Sequence, residues 1–166
     1  MTKPKFKKIL LLPLVIPFFV AIIHLFEAVF FDIYINRSPS IEMGFYRSTE
    51  NSKLAIGDVV AYKIDNDIKE KMRSMGITSY DILFKYVMAV PGDSVCWDAG
   101  EVKVNGNIAL ERLDLSGTSF TYYPSQCIKL SNKQVVLGVP GNARSFDSRL
   151  FGPAKISHIE NVITKL

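Results

Sequence analysis

The sequence is poor in cysteine and histidine, with two residues of each among 166. Two cysteines are too few for a small disulfide-stapled scaffold, and neither has a cysteine or histidine neighbour at metal-ligand spacing. A Ser-His-Asp triad would have to take its base from His24, in a long apolar run, or from His158, in no recognisable setting. The sequence therefore predicts no metal site and leaves His158 as the single candidate for histidine-based catalysis.

Low-complexity tracts and internal repeats are also missing. Hydrophobic residues make up 48% of the chain and charged residues 22%, which is the balance of a folded protein. A disordered chain would need lower hydrophobicity and a higher net charge. The length fits one folded domain, so disordered and collagen-like proteins are excluded.

The net positive charge is small in the body of the chain and concentrated at its start. Four lysines open the sequence: Lys3, Lys5, Lys7 and Lys8. With Glu27 as the only acid before Asp32, residues 1–31 carry a net charge of +3, which leaves +1 for residues 32–166. A groove that follows nucleic-acid phosphates needs clustered lysine and arginine, so we expect no nucleic-acid partner.

A long apolar run follows the basic start. Residues 9–31 span 23 positions, interrupted by His24 and Glu27. About 20 helical residues cross a hydrocarbon core of about 30 Å, and lysines before the span favour a cytoplasmic N-terminus. The sequence thus predicts a cytoplasmic leader at 1–8, a transmembrane anchor in membrane lipid at 9–31, and a periplasmic domain at 32–166.

A cleaved signal peptide is the alternative interpretation of this run. Such a peptide ends at a cleavage site of small residues. The sequence has bulky residues there instead: Phe30, Phe31, Ile33 and Tyr34. We therefore expect an uncleaved anchor in the bacterial inner membrane.

Short β-branched runs recur after the anchor, separated by turn dipeptides such as Asn105-Gly106. They occupy residues 58–64, 83–90, 94–97, 101–105, 133–137 and 159–163. Runs of this length between turn signals predict a mainly β domain. One segment differs, because Asp65 to Gly76 has the cap and stop signals of a short helix.

The two cysteines, Cys96 and Cys127, lie on either side of residues 101–126. An exported compartment is oxidising, and an even cysteine count there favours a disulfide. A bridge that closes a loop of about 31 residues is worth about 3–4 kcal/mol. Two buried free thiols are the alternative.

Lys85 is a candidate general base because it lies inside the apolar run 83–90. An amine ordinarily has a pKa near 10.4, but burial disfavours the charged form and lowers the pKa. A neutral lysine can take the proton of a serine hydroxyl. Alternation along a strand, taken alone, leaves open that Lys85 points outward to solvent.

Three blocks in a fixed order decide between these alternatives. They are residues 38–46, 84–93 and 141–153, with Gly57-Asp58-Val59-Val60 between the first two. The ordered set resembles the signal-peptidase family of membrane-anchored Ser-Lys proteases, and is most similar to its conjugative-transfer branch, the TraF-type peptidases that mature pilin subunits. The resemblance extends over the whole chain, including the anchor.

The resemblance implies a role for individual residues in the first two blocks. It makes Ser40 the nucleophile and Lys85 the general base. Ser38 matches a serine whose hydroxyl helps the main-chain amide of the nucleophile to bind the oxyanion.

In the third block, Ser145 matches the serine that orients the lysine amine. Asp147 and Arg149 match a charged pair that supports the site. One hydroxyl near a buried neutral amine holds it without adding charge, which agrees with the role implied for Ser145.

The blocks also depart from the usual secretory peptidase. Ile41 and Met43 stand where that enzyme has Met and Pro, and Tyr86 stands where it has Arg after the lysine. Pro140-Gly141-Asn142 replaces a Gly-Asp-Asn sequence. The domain has no room for the large second subdomain of many general secretory peptidases, which indicates a dedicated substrate.

Taken together, the resemblance implies a signal-peptidase-like antiparallel β domain behind one transmembrane helix. The implied function is a serine endopeptidase without cofactor that cleaves a pilin precursor or another exported protein. Conjugation-pilus assembly components are candidate partners. Resolution of the acyl-enzyme by water gives a linear product, and resolution by the substrate's own amine gives a circular one.

Three alternatives to this function stay open. The protein could be a general signal peptidase that acts on many secreted preproteins. It could be an inactive membrane-tethered β module that binds pilin or the secretion channel. The third is a Ser-His enzyme that uses His158.

Overall fold

A computed structural model describes most of the chain. The described residues are 15–22, 33–49, 53–77 and 80–166. The predicted leader at 1–8 and most of the predicted anchor at 9–31 lie outside them.

The chain divides into two compact units, residues 1–33 and residues 34–166. In the first unit, residues 15–22 are helical and exposed, and we label them α1. Within the part of the chain that the structure describes, no helix is both long enough and apolar enough to cross a membrane.

From Ile33 onward the described chain is mainly β. Its strands are β1 (Ile33–Asn36), β2 (Gly44–Ser48), β3 (Val59–Lys63), β4 (Ile82–Ala89), β5 (Ser94–Asp98), β6 (Glu101–Val104), β7 (Asn107–Leu110), β8 (Gln126–Lys129), β9 (Gln134–Gly138), β10 (Ala154–Lys155) and β11 (Ile159–Lys165). Its helices are α2 (Asn66–Ser74), α3 (Ser148–Phe151) and a 3-10 turn (Ile156–His158).

The strands form two antiparallel sheets. The larger has seven strands in the order β1-β2-β11-β3-β4-β9-β10, and the smaller has four in the order β7-β6-β5-β8. Asn105 and Gly106 join β6 to β7 with φ angles of 51° and 85°. Positive φ at both positions defines the tight turn that Asn-Gly favours in hairpins. The prediction of a mainly β antiparallel domain is confirmed.

The short helix α2 agrees with the sequence signals. The Asp65 side chain caps it by accepting a hydrogen bond of 3.0 Å from the Ile68 amide. Ile68 and Met72 are buried on one face, and Gly76 follows the last turn with a φ of 73°. This face packs into the main apolar cluster with strand residues such as Tyr62.

A second short helix corrects the expectation that the domain contains only one. α3 has a single turn, which is too short to produce an apolar period in the sequence. Its cap is Asp147, whose carboxylate accepts the Arg149 amide at 3.1 Å. The cap and the helix therefore arise from the same residues that the third block singled out.

The smaller sheet contains the disulfide. Cys96 on β5 and Cys127 on β8 face each other in the ladder, and their sulfur atoms are bonded. The bond fixes β8, an edge strand. Residues 111–125, which connect β7 to β8, are called the excursion below. Trp97 is the neighbouring core residue, 2% exposed.

Candidate active site

Ser40 lies on the turn that connects β1 to β2. The Ser38 hydroxyl donates a hydrogen bond of 3.0 Å to the Ser40 hydroxyl, and the Ser40 amide donates one of 3.2 Å to the Ser38 oxygen. Ser40 is half-buried, and Ile41 beside it is buried in an apolar cluster with Val139. The turn thus anchors one side chain in the core and leaves the Ser40 hydroxyl accessible.

Asn36, at the end of β1, organises this turn. Its side-chain amide group donates to the carbonyl oxygens of Ser38, Ile41 and Glu42 at 3.0–3.1 Å. Its Oδ1 accepts the Ser38 amide at 2.9 Å, which is an Asx turn. The sequence analysis missed Asn36, although an Asn two residues before Ser38 is a recognisable Asx signal. These bonds hold the turn without the proline of the usual secretory peptidase.

Lys85 lies on β4 in the larger sheet. Residues alternate along this strand, and Lys85 shares the buried face with Leu83 and Val87. It is 2% exposed, and its Nζ donates a hydrogen bond of 3.0 Å to the Ser145 Oγ. Alternation therefore points Lys85 into the protein, and the outward orientation that the sequence left open does not occur.

Burial lowers the pKa of Lys85 from 10.5 to about 8. The charge of Asp147 opposes this shift and raises the pKa, while the charge of Arg149 lowers it. With a pKa of about 8, roughly a tenth of the molecules hold a neutral amine at pH 7. An amine in that range can act as a general base near neutral pH.

Asp147 and Arg149 form a buried ion pair beneath the site, with exposures of 0% and 1%. The Arg149 Nε and Nη2 donate to the two carboxylate oxygens at 2.9 and 2.6 Å. The remaining guanidinium donors reach backbone carbonyls, those of Glu111 at 2.8 Å and Asn142 at 3.0 Å. A buried charge needs such complete pairing, because an unpaired one is strongly destabilising.

The loop between β9 and α3 contacts both the turn that carries Ser40 and the side chain of Lys85. Ser145 on this loop accepts the Lys85 amine, while the Asn142 side chain donates to the Ser40 carbonyl at 3.3 Å. The structure thus brings Ser38 to Ser40 and gathers the other candidates around Lys85. No hydrogen bond joins Ser40 directly to Lys85 among the described residues.

The smaller sheet supports α3 from behind. The Trp97 indole donates a hydrogen bond of 2.8 Å to the Ser148 carbonyl, and the Tyr123 amide donates one of 2.9 Å to the Arg149 carbonyl. The Ser148 hydroxyl in turn accepts the Leu137 amide at 2.9 Å. Ser148 and Trp97 were not candidates in the sequence analysis, because only the packing of the two sheets brings them together.

A cavity of about 280 Å³ adjoins Ser145. It lies between the excursion and the β9–α3 loop, and its lining combines apolar side chains with a polar rim. The lining residues are Leu113, Asp114, Leu115, Ser116, Thr118, Phe120, Ala143, Arg144, Ser145 and Leu150. An apolar hollow with a few polar groups beside a reactive centre is typical of a ligand site.

Comparison with known proteins assigns the chain to a family. A sequence model of the family described as signal peptidase, peptidase S26, matches residues 6–165. The chain therefore belongs to the S26 signal peptidase family, and the resemblance inferred from the three blocks is confirmed.

Two individual proteins are similar to this chain. The plasmid transfer protein TraF of Escherichia coli is 30% identical over 141 residues, which cover 78% of this chain and 79% of TraF. A crystal structure of a signal peptidase I from Enterococcus faecalis V583 gives a TM-score of 0.41 at 19% identity, covering 68% of this chain and 98% of that one.

Proposed function

We propose that the protein is a membrane-anchored serine endopeptidase that cleaves a membrane-inserted pilin precursor in conjugative transfer, through a Ser40-Lys85 dyad. Membership of the S26 family supports the peptidase activity. The observation that carries the dyad is the buried Lys85 amine, bonded to Ser145 on the loop whose Asn142 also holds the Ser40 peptide.

In the proposed reaction, neutral Lys85 takes the proton of the Ser40 hydroxyl, and the Ser40 oxygen attacks the scissile carbonyl. The negative charge that develops on the carbonyl oxygen is stabilised by the Ser40 amide and the Ser38 hydroxyl. In the free protein the Ser38 oxygen accepts that amide. We therefore expect the Ser38 hydroxyl to turn toward the oxyanion when the substrate enters.

The second half of the reaction uses the same lysine as an acid. Lys85 gives its proton to the leaving amine, which leaves an ester between Ser40 and the acyl part of the substrate. Water releases a linear product from this ester. The amino terminus of the same pilin chain releases a circular product instead, and the amine loses one proton in forming the new peptide bond.

The relative and the predicted anchor support the proposed substrate and location. TraF is named a plasmid transfer protein, so we propose a pilin precursor as substrate and pilus-assembly components as partners. We place residues 1–8 in the cytoplasm, 9–31 in inner-membrane lipid, and 32–166 in the periplasm. The Cys96–Cys127 disulfide supports an oxidising compartment for the domain.

The test is to replace Ser40 by Ala and Lys85 by Ala in cells that carry the transfer system, and to measure pilin mass. We expect unprocessed precursor in both variants, with the protein still present in the membrane fraction. Ser119→Ala and Lys129→Ala are matched controls, because both residues are exposed. A circular product would be lighter than the linear one by one water.

Continued maturation in either the Ser40 or the Lys85 variant would contradict the proposed dyad. Precursors of many secreted proteins accumulating together with pilin would indicate a general signal peptidase instead. A buried, hydrogen-bonded Lys85 favours an enzyme over an inactive binding module, since burial of an unused charge is costly.

A further inference from the structure

The backbone carbonyls of the nucleophile turn are bound by Asn36, by Tyr46, which donates to Glu42, and by Asn142. Asn36, on the preceding strand, binds the carbonyls of Ser38, Ile41 and Glu42. The Ser40 carbonyl is bound instead by Asn142, 102 residues further along the chain. The peptide that follows the nucleophile is therefore held from outside its own turn.

Asn142 is itself fixed at three points. Its backbone carbonyl accepts the Arg149 Nη2 at 3.0 Å and the Ser145 amide at 3.4 Å. Its side-chain Oδ1 accepts the Arg144 amide at 3.0 Å. Because Oδ1 must face an N–H donor, the Nδ2 group is left to face Ser40, and the orientation of the amide is determined by its partners.

The Asn142 bond is the one hydrogen bond between the nucleophile turn and the β9–α3 loop among the described residues. The same loop carries Ser145, whose oxygen accepts the Lys85 amine at 3.0 Å. A single loop thus holds the peptide of the nucleophile with one residue and the amine of the base with another. Loosening the first contact would let Ser40 move relative to Lys85 while Lys85 stays in place.

We propose that Asn142 is a positioning residue that sets the Ser40 hydroxyl within reach of Lys85. This inference rests on the proposed dyad, but it concerns a residue that touches neither substrate nor the reacting atoms. Misplacement of a reacting group by about 1 Å can lower a rate by about 100-fold. Such a shift would raise the free energy of the transition state. It would leave the binding of the substrate backbone and side chains unchanged.

The decisive variants are Asn142→Asp and Asn142→Ala, because Asn142→Asp exchanges the donor for a charged oxygen and Asn142→Ala removes the donor with no change of charge. A carboxylate keeps the oxygen that accepts the Arg144 amide, and it loses the N–H group that binds the Ser40 carbonyl. Asn142→Ala removes both contacts without adding charge. In either variant the backbone carbonyl that Arg149 binds remains.

The measurement uses the purified full-length protein in detergent and a fluorogenic peptide spanning the cleavage site of its pilin. We expect kcat to fall by about 10-fold to 100-fold in both variants, with KM within about threefold of the wild-type value. For Asn142→Ala, we expect the pH at which activity reaches half its plateau to stay unchanged, since the burial of Lys85 and its bond to Ser145 remain. The midpoint of thermal unfolding should change little.

Two control variants separate positioning from other effects. Asn132→Asp adds the same charge at an exposed asparagine outside the site and should keep wild-type kcat. Ser145→Ala removes the oxygen that holds the amine, so it should move the pH midpoint, which Asn142→Ala should not. A wild-type kcat in Asn142→Asp, or a rise in KM that accounts for the whole loss, would overturn the proposal.

Failure of this proposal is distinguishable from failure of the proposed function. If Ser40→Ala is inactive while Asn142→Asp has full activity, the dyad stands and the role of Asn142 is wrong. If Ser40→Ala still cleaves the peptide, the dyad is wrong and the role of Asn142 falls with it.

Discussion

The proposed base and the proposed nucleophile are held in opposite ways. Lys85 lies on β4, between β3 and β9 of the larger sheet, and is 2% exposed. Ser40 lies on a half-buried turn whose shape depends on side-chain hydrogen bonds. A base whose pKa must fall needs the dry interior, whereas a nucleophile must meet a peptide from solvent. The core therefore positions one group, and two asparagines position the other.

Asp147→Asn should produce the largest effect on stability and also impair turnover, because it breaks the buried ion pair between Asp147 and Arg149. Arg149 would keep its charge at 1% exposure without a carboxylate. Removing one partner of a buried pair costs about 3–5 kcal/mol, so we expect a large drop in unfolding free energy and impaired turnover. Urea unfolding and peptide cleavage measure the two effects.

Asp114→Asn is the control for that experiment, since Asp114 is exposed and its carboxylate accepts hydrogen bonds from the exposed Ser116. It should change stability by less than about 1 kcal/mol. Wild-type stability and turnover in Asp147→Asn would show that the ion pair does not support the site.

Lys85→Met tests whether burial of the Lys85 amine lowers the free energy of unfolding. The folded pKa of Lys85, about 8, lies below the ordinary value of 10.5, so the unfolded chain binds more protons between these pH values. The penalty of a charged buried lysine is fully present below pH 8 and disappears as the pH rises toward 10.5. At pH 7 we expect Lys85→Met to be more stable by up to about 3 kcal/mol.

The measurement is the difference in unfolding free energy between Lys85→Met and the wild type from pH 6 to pH 10. Lys129→Met, at an exposed position, is the control. A stability difference that stays constant with pH would mean that burial does not lower the pKa of Lys85.

Asn36→Ala should have the smallest effect on stability and a clear effect on turnover. It removes the side-chain amide that donates to three carbonyls of the nucleophile turn. The turn is only partly buried, so water can replace some of these bonds. Lost hydrogen bonds of this kind cost about 1–3 kcal/mol. We expect kcat to fall by a larger factor than in a control such as Asn132→Ala, measured with the same peptide. Full activity in Asn36→Ala would show that the hydrogen bonds of Asn36 are not needed to position Ser40. The contrast with Lys85, which the core positions, would then be wrong.

Local signals made part of this arrangement predictable. The β-branched runs between turn dipeptides predicted β3, β4, β5, β6, β9 and β11 but not the other five described strands. Asp65 and Gly76 predicted α2, because strand alternation and helix caps depend on neighbouring residues. The position of Lys85 in an apolar run made it a candidate base but left its orientation open. The Ser38, Ser145, Asp147 and Arg149 candidates came only through the resemblance to a family.

The rest depends on contacts between distant parts of the chain. Asn142 was visible only as a departure in the third block, and its bond to Ser40 requires the loop and the turn to meet. The sequence around Trp97 predicts an ordinary core residue. Its hydrogen bond to α3 forms only because the smaller sheet packs against that helix. Such residues cannot be found from spacing, since their partners lie about 50 to 100 positions away.

The excursion between β7 and β8 is fastened at both of its ends. β7 pairs with β6 at one end, and the Cys96–Cys127 bond ties β8 at the other. Between these points the chain lines the cavity beside Ser145 but contributes none of the proposed reacting groups. Two of its backbone groups are nevertheless tied to the buried ion pair, because the Glu111 carbonyl accepts Arg149 and the Tyr123 amide donates to the Arg149 carbonyl. A change at an exposed lining residue such as Ser116 or Thr118 would therefore alter the wall of the cavity while leaving the ion pair and the proposed reacting groups in place.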